Sequence, residues 1–395
     1  MPPLQILHTR SRAPAAAPAL AVWSVGFRPF YLLASLFAAL SILLWVLQYA
    51  GWLPFRYLQG PAAHGSEMLF GFATAVVAGF LFTAGRNWTG QPTPSGALLG
   101  ALALHWLAGR VLVATPWVTA AAAVNGAFPL AVAAGLAVPL ARARNRRNFV
   151  FVALLAALAV LALAVNLARY DVIAWPAHAG LQVGLDVVLF IMAMMGGRVI
   201  PMFTNNGVRG ARARRHPMLE RFALGGVLVL GVADALQAPV LLLAGITALL
   251  ALAHGARLAL WEPWRTVRAP LVWILHAAYA WVVLHFALRT LAALDLVPGV
   301  LATHALTIGG IGGLTLGMMT RTARGHTGRA LVANRADVAA YGLVMAAALA
   351  RVVGPLVWPH EYVPTVLVSG ACWAAAFFVY FVSYLPSLVL QRLDG

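Results

Sequence analysis

The sequence predicts an all-α integral membrane protein of about twelve transmembrane helices with both termini on the cytoplasmic side. Composition speaks first: of 395 residues, 62% are hydrophobic and 9% charged, with a mean hydropathy of +0.87. A water-soluble domain carries about a quarter charged residues. Apolar runs recur along the whole chain, each near the ~20 residues a helix needs to cross a bilayer. None shows the ~10-residue alternation of a membrane β-strand. Finally, arginines gather in every second loop, the signature of the positive-inside rule.

The runs follow in order. The first opens near Pro29, after an Ala- and Pro-rich leader, and the second near Glu67, closing at Arg86. The third and fourth begin near Gly96 and Trp117, and the fourth ends at Arg142, Arg144, Arg146 and Arg147. The fifth starts near Phe149, and the sixth, from Ala179, runs into the proline break of GGRVIPMFTNN. Arginines from Arg209 to Arg215 separate it from the seventh and eighth, near Leu219 and Val240. Arg257, Arg265 and Arg268 precede the ninth, near Leu271, and the tenth begins near Val300. Arginines from Arg321 to Arg335 lead to the eleventh, near Ala336, and the last begins near Pro364. The opposite loops hold only scattered arginines such as Arg56 and Arg169. A wrong number of spans would scramble this alternation.

Residues 1–22 read as a disordered cytoplasmic tail, since Pro14 and Pro18 interrupt any signal-peptide core. Residues 23–395 form one transmembrane domain, for no polar segment is long enough to hold a soluble one. The net charge of +17 might suggest nucleic acid, but every basic residue is arginine and most lie in short loops, so nucleic acid is excluded. The lone Cys372 provides neither a disulfide nor a thiolate metal site.

Ionisable groups within membrane helices are costly and mark functional sites by default. Alternating orientation sorts the histidines by depth. His64, His178, His285 and His304 fall toward the outer side, His254 and His276 toward the cytoplasmic side, His326 just beyond that end, and His105 near mid-membrane. Imidazole without cysteine suits iron, copper or zinc, and haem iron takes axial histidines. An outer site of His64, His178 and His304 around one haem or metal is expected, with a separate inner site of His276 and His326, joined by His254. His276 and His285 are nine residues apart, about 180° around a helix, so they cannot bind one iron. In HALTIGGIGGLTLGMMTRTARGHTGR, Gly309, Gly313 and Gly317 form a smooth stripe that lets a helix or a planar ring approach closely. Glu67, one turn from His64, is a candidate proton carrier, or an acid favoured by its place at a helix start. Arg198, before the proline break, is expected to pair with a haem propionate, with Glu67 or with Asp186, or to snorkel to the inner surface.

The stretches FRPFYLLASLFAAL, HGSEMLFGFATAVVAGFLFTAGRNWTG, GGRVIPMFTNN, LHAAYAW and the glycine-rich segment above, taken together and in order, resemble the NnrS family across most of the chain. The resemblance implies a twelve-span bacterial inner-membrane protein containing haem b and copper, with a role in nitric oxide metabolism and nitrosative-stress defence. It departs at one point: the family's second span usually begins His-x-His-Glu, and here Ser66 stands in place of the second histidine, removing one expected copper donor. The expected function is a haem-dependent membrane oxidoreductase acting on nitric oxide, drawing electrons from a quinol and protons through Glu67. The rival is a transporter or scaffold whose histidines are structural.

Overall fold

The computed structural model describes residues 20–55, 57–58 and 60–391. Most of the tail expected over residues 1–22 lies outside the described residues, as does Arg56. Among the described residues there is no strand, only one bridge between Leu20 and Leu390.

Among the described residues twelve long helices make the fold: α1 (Phe27–Tyr49), α2 (Gly60–Thr89), α3 (Gly96–Val113), α4 (Val118–Arg142), α5 (Val150–Arg169), α6 (Ala177–Gly207), α7 (Pro217–Ala235), α8 (Val240–Leu260), α9 (Pro270–Ala293), α10 (Gly299–His326), α11 (Arg335–Val352) and α12 (Tyr362–Val389). Eleven are long and apolar enough to cross a membrane, so this is a multi-pass membrane protein. The exception, α7, carries Glu220, Arg221 and Asp234 in 19 residues. Its Leu228, Val229 and Val232 are nonetheless exposed, the pattern of a lipid-facing side. The chain ends require it to cross as well. The Ala21 N–H donates to the Val389 carbonyl at 2.7 Å, so both described ends meet at one end of the bundle, which an odd number of crossings forbids. That end is here called the terminal face, and the opposite one the far face.

Helix ends follow local chemistry. Pro217 and Pro270 open α7 and α9, where a missing N–H costs nothing. Asn334 and Asp337 cap α11 reciprocally, at 2.8 and 2.9 Å. Gly90, at φ +65°, closes α2 in the left-handed conformation. In the interior, α2 is buried over 78% of its most apolar window, against 28% for α3. The former therefore lies in the centre of the bundle and the latter at its rim. The first helix packs between α2 and α12, α10 packs between α9 and α11, and α6 lies against α5, α7 and α2.

Two stretches break the α-helical pattern. Glu67–Ala73 in α2 and Ala305–Gly312 in α10 are π-helical. Such wider turns are rare and are frequent at functional sites. Both stretches begin shortly after a histidine: His64 lies three residues before the first, and His304 immediately precedes the second. In α2 the wider turn is satisfied from outside and within, since the Trp106 indole N–H donates to the Gly71 carbonyl at 3.0 Å and the Thr74 hydroxyl donates to that of Leu69 at 3.0 Å.

Candidate functional site

A cavity of about 520 Å³ opens in the far half of the bundle, between the ends of α1, α2, α6, α10, α11 and α12. Its size falls in the range of small-molecule and cofactor sites. Most of its wall is apolar. Its polar groups include His64, His304, Arg351 and Tyr362, with Trp45 and Trp373 among its large aromatic rings.

The two histidines present free nitrogens there. The His304 Nδ1–H donates to the Val300 carbonyl at 2.8 Å, which fixes the tautomer and leaves the Nε2 lone pair unused. The His64 ring lies flat on Trp45, centroids 4.9 Å apart and planes 6° from parallel. Its Nδ1 is buried with no hydrogen-bond partner. Arg351, beside them, donates through Nη2 to the Tyr362 hydroxyl at 2.7 Å, while Nη1 is buried and unpartnered. A buried polar atom left unpaired costs on the order of 1–3 kcal/mol. A cavity lined by two imidazoles and an arginine suits a ligand that offers an electrophilic centre and an anion.

The other residues expected at a site lie elsewhere. His178 is exposed at the start of α6 and is not among the residues lining the cavity, although Leu181 and Leu185 of that helix are. Glu67 turns to α3, where its carboxylate meets Arg110 at 2.6 Å, and it too is absent from the lining. Arg198 donates to the Asn148 side chain at 3.0 Å, toward the terminal face, and Asp186 pairs instead with Arg289 at 3.5 Å. His276 is buried with both nitrogens near polar atoms: the Val272 carbonyl at 3.1 Å on one side, the Thr204 hydroxyl and Trp261 carbonyl at 3.3 Å on the other. His326 stands at the terminal face beside a pocket with Arg28 and Arg86, its ring 5.6 Å from Phe27. His105 bonds the Val124 carbonyl at 2.9 Å. Among the described residues, no three His, Cys, Asp or Glu side chains converge on a metal position.

The glycine stripe of α10 faces neighbouring helices. A Cβ at Gly313 would lie 2.7 Å from that of Ala278, and one at Gly317 would lie 2.8 Å from Leu275, both on α9. Close helix approach accounts for these glycines; they bring α10 against α9 and so fix where His304 stands.

A comparison with protein families matches residues 21–392 to the NnrS protein family. The chain belongs to the NnrS family. The match covers nearly the whole chain, including both π-helical stretches and every cavity residue named above. No curated protein matches it.

In this NnrS protein the sequence pointed to His64 and His304 but not to Arg351 or Trp45. A signal existed for the arginine. It ends an apolar run on the arginine-poor side of the alternation, where positive charge has no topological reason to be. Trp45 has no such mark among 13 tryptophans.

Proposed function

We propose that this protein is a haem b protein of the bacterial inner membrane that acts on nitric oxide in nitrosative-stress defence, with the far-half cavity as its site. What supports the reading is the donor set: two imidazoles and a guanidinium lining one otherwise largely apolar cavity. His64 and His304 would hold the iron, and Arg351 would take a propionate, a charge-assisted bond of the strong kind. Bound there, haem would supply one-electron chemistry and an affinity for small diatomic ligands. Copper fits less well: Ser66 lacks the imidazole the family usually has, and the described residues offer no three-donor cluster.

The chain's own contribution is positional. Glu67 anchors Arg110, and the pair steadies the π-helical stretch that aims His64. Trp45 fixes the plane of that ring, and Val300 sets the tautomer of His304. Nitric oxide, small and apolar, partitions into lipid and reaches a cavity between helices without a polar channel. Reducing two nitric oxide molecules to nitrous oxide and water consumes two electrons and two protons, which one quinol releases on oxidation. The arginine-rich loops at the terminal face make that face cytoplasmic. Proteoliposomes carrying the haem-loaded protein and a reduced quinol test the reading. Nitric oxide should disappear from the medium and quinone form in proportion. A colourless protein that leaves nitric oxide untouched would favour a transporter or scaffold.

A further inference from the structure

Three arginines gather toward the terminal face, away from the histidine cavity, where α5, α6 and the segment before α7 meet. Arg198 on α6 donates through Nη1 to the Asn148 side-chain oxygen at 3.0 Å, and the residue before that asparagine is Arg147. On the other side Gly197, the residue before Arg198, lies against Glu220: a Cβ there would stand 2.7 Å from the carboxylate. Arg215 meets that same carboxylate at 3.4 Å. Arg147 and Arg215 thus flank Arg198, near enough for their charges to act on it. By helix rise Arg198 stands ~32 Å from the start of α6 at Ala177, about one ~30 Å hydrocarbon thickness. Asn148 agrees, since it lies just before α5 begins at Val150. Both place the cluster at the boundary between hydrocarbon and headgroups.

Little balances these charges. Among the described residues neither Arg147 nor Arg198 forms an ion pair. Glu220 is already held by the fully buried Arg257 of α8, whose Nε and Nη2 donate to it at 2.9 and 3.0 Å. That carboxylate therefore has a cation of its own before Arg215 reaches it. A guanidinium has five N–H groups. Beyond Asn148, the Arg198 group meets the Met194 sulfur at 3.6 Å and the Phe151 ring at 5.8 Å, neither of them an anion. The positive-inside rule explains Arg147 and Arg215, which lie in loops. It does not explain Arg198, because a charge inside an apolar helix is costly and calls for a partner. Apolar surface continues on the hydrocarbon side, with Met194 one turn before Arg198 and Phe222 exposed on α7.

We propose that Arg147, Arg198 and Arg215 hold the headgroup phosphate of an anionic phospholipid from the leaflet at the terminal face. Basic pockets between membrane helices at the headgroup level recognise such lipids, and the planar guanidinium fork matches phosphate oxygens two at a time. Arg198, fixed by Asn148 and half-buried, is the rigid member of the site. Arg147 and Arg215, both exposed, close on the phosphate from either side. The acyl chains run down the apolar surface past Met194 and Phe222. One phosphate then ties together α5, α6 and the entry to α7, three elements whose cations otherwise repel one another.

Native mass spectrometry of the full-length protein in a neutral detergent tests this without cofactor or substrate. Phosphatidylglycerol is titrated in, with phosphatidylcholine as the neutral comparison and millimolar sodium phosphate as a competitor. The parent should retain phosphatidylglycerol in preference to phosphatidylcholine, and free phosphate should not displace it. Arg147→Gln and Arg215→Gln should each weaken phosphatidylglycerol binding about fivefold, the share of one basic residue near an anionic headgroup. Arg198→Gln should weaken it further. Both loop arginines are exposed, so their variants keep the test decisive should Arg198→Gln fail to fold. Arg142→Gln, which removes the same charge from the same loop as Arg147, should bind like the parent. A parent that takes phosphatidylcholine equally well, lipid displaced by free phosphate, or equal losses in Arg142→Gln and Arg147→Gln would overturn the proposal.

Discussion

Replacing Glu67 by glutamine removes the negative member of an ion pair that water barely reaches: the Glu67 and Arg110 side chains are 3% and 8% exposed and meet at 2.6 Å. Removing one partner of a buried pair leaves an uncompensated charge and costs about 3–5 kcal/mol. Arg110 keeps its contact with the Asn125 side-chain oxygen and lies over the Phe37 and Trp106 rings at 5.6 Å. These soften the loss, so its lower end applies, roughly a hundredfold in the folding equilibrium at 1.4 kcal/mol per decade. Glu67→Gln should therefore unfold at a clearly lower temperature than the parent in one detergent at one scan rate. It should also bind haem less completely, because the stretch that aims His64 loosens. Replacing both partners by leucine should recover most of the stability, since a buried pair exchanged for apolar groups is often neutral. The opposite pattern would refute the reasoning. If Glu67→Gln kept the parent's unfolding temperature and haem content while losing nitric oxide consumption, Glu67 would be a proton carrier rather than a clamp.

Other consequences are open to direct measurement. Arg351→Leu removes a charged hydrogen-bond donor worth about 1.5–3 kcal/mol and should weaken haem retention roughly ten- to a hundredfold, read by haem transfer to apomyoglobin; unchanged retention would dismiss the propionate role. His178→Ala should leave the absorption spectrum intact, because that side chain stands outside the cavity; loss of the haem band would return it to the site. Gly313→Val places methyl groups into a gap closed by Ala278 and Met345, and overpacking should cost about 1–3 kcal/mol; a parent-like unfolding temperature would show that α9 and α10 can part freely. A reporter fused in the Arg142–Arg147 loop should report the cytoplasm, and a periplasmic signal would reverse the orientation.

The helices were legible in the sequence because the bilayer imposes one length and one polarity on every crossing. Even α7, with its three charges, announced itself by the arginine alternation. The site was half legible. Depth placed His64 and His304 at one level, but depth does not give azimuth. His178 shares their level and is exposed, and Glu67, three residues from His64, points to Arg110 on another helix. Beyond Glu67 and beyond His304 the π-helical stretches add to this, since a widened turn shifts the facing of every residue after it, and no simple 3.6-residue count anticipates that. Arg198 shows a further limit: a charge in an apolar run finds whichever partner packing brings near, and here that partner is Asn148.

The absorption spectrum of the purified protein from haem-replete cells bears most directly on the central claim, recorded for the parent beside His64→Ala and His304→Ala. The parent should show a Soret band that each substitution alone abolishes or shifts to an altered ligation, with elution as a folded, monodisperse species. A parent protein without haem, or variants whose spectra match it band for band, would contradict the assignment of the cavity between His64 and His304.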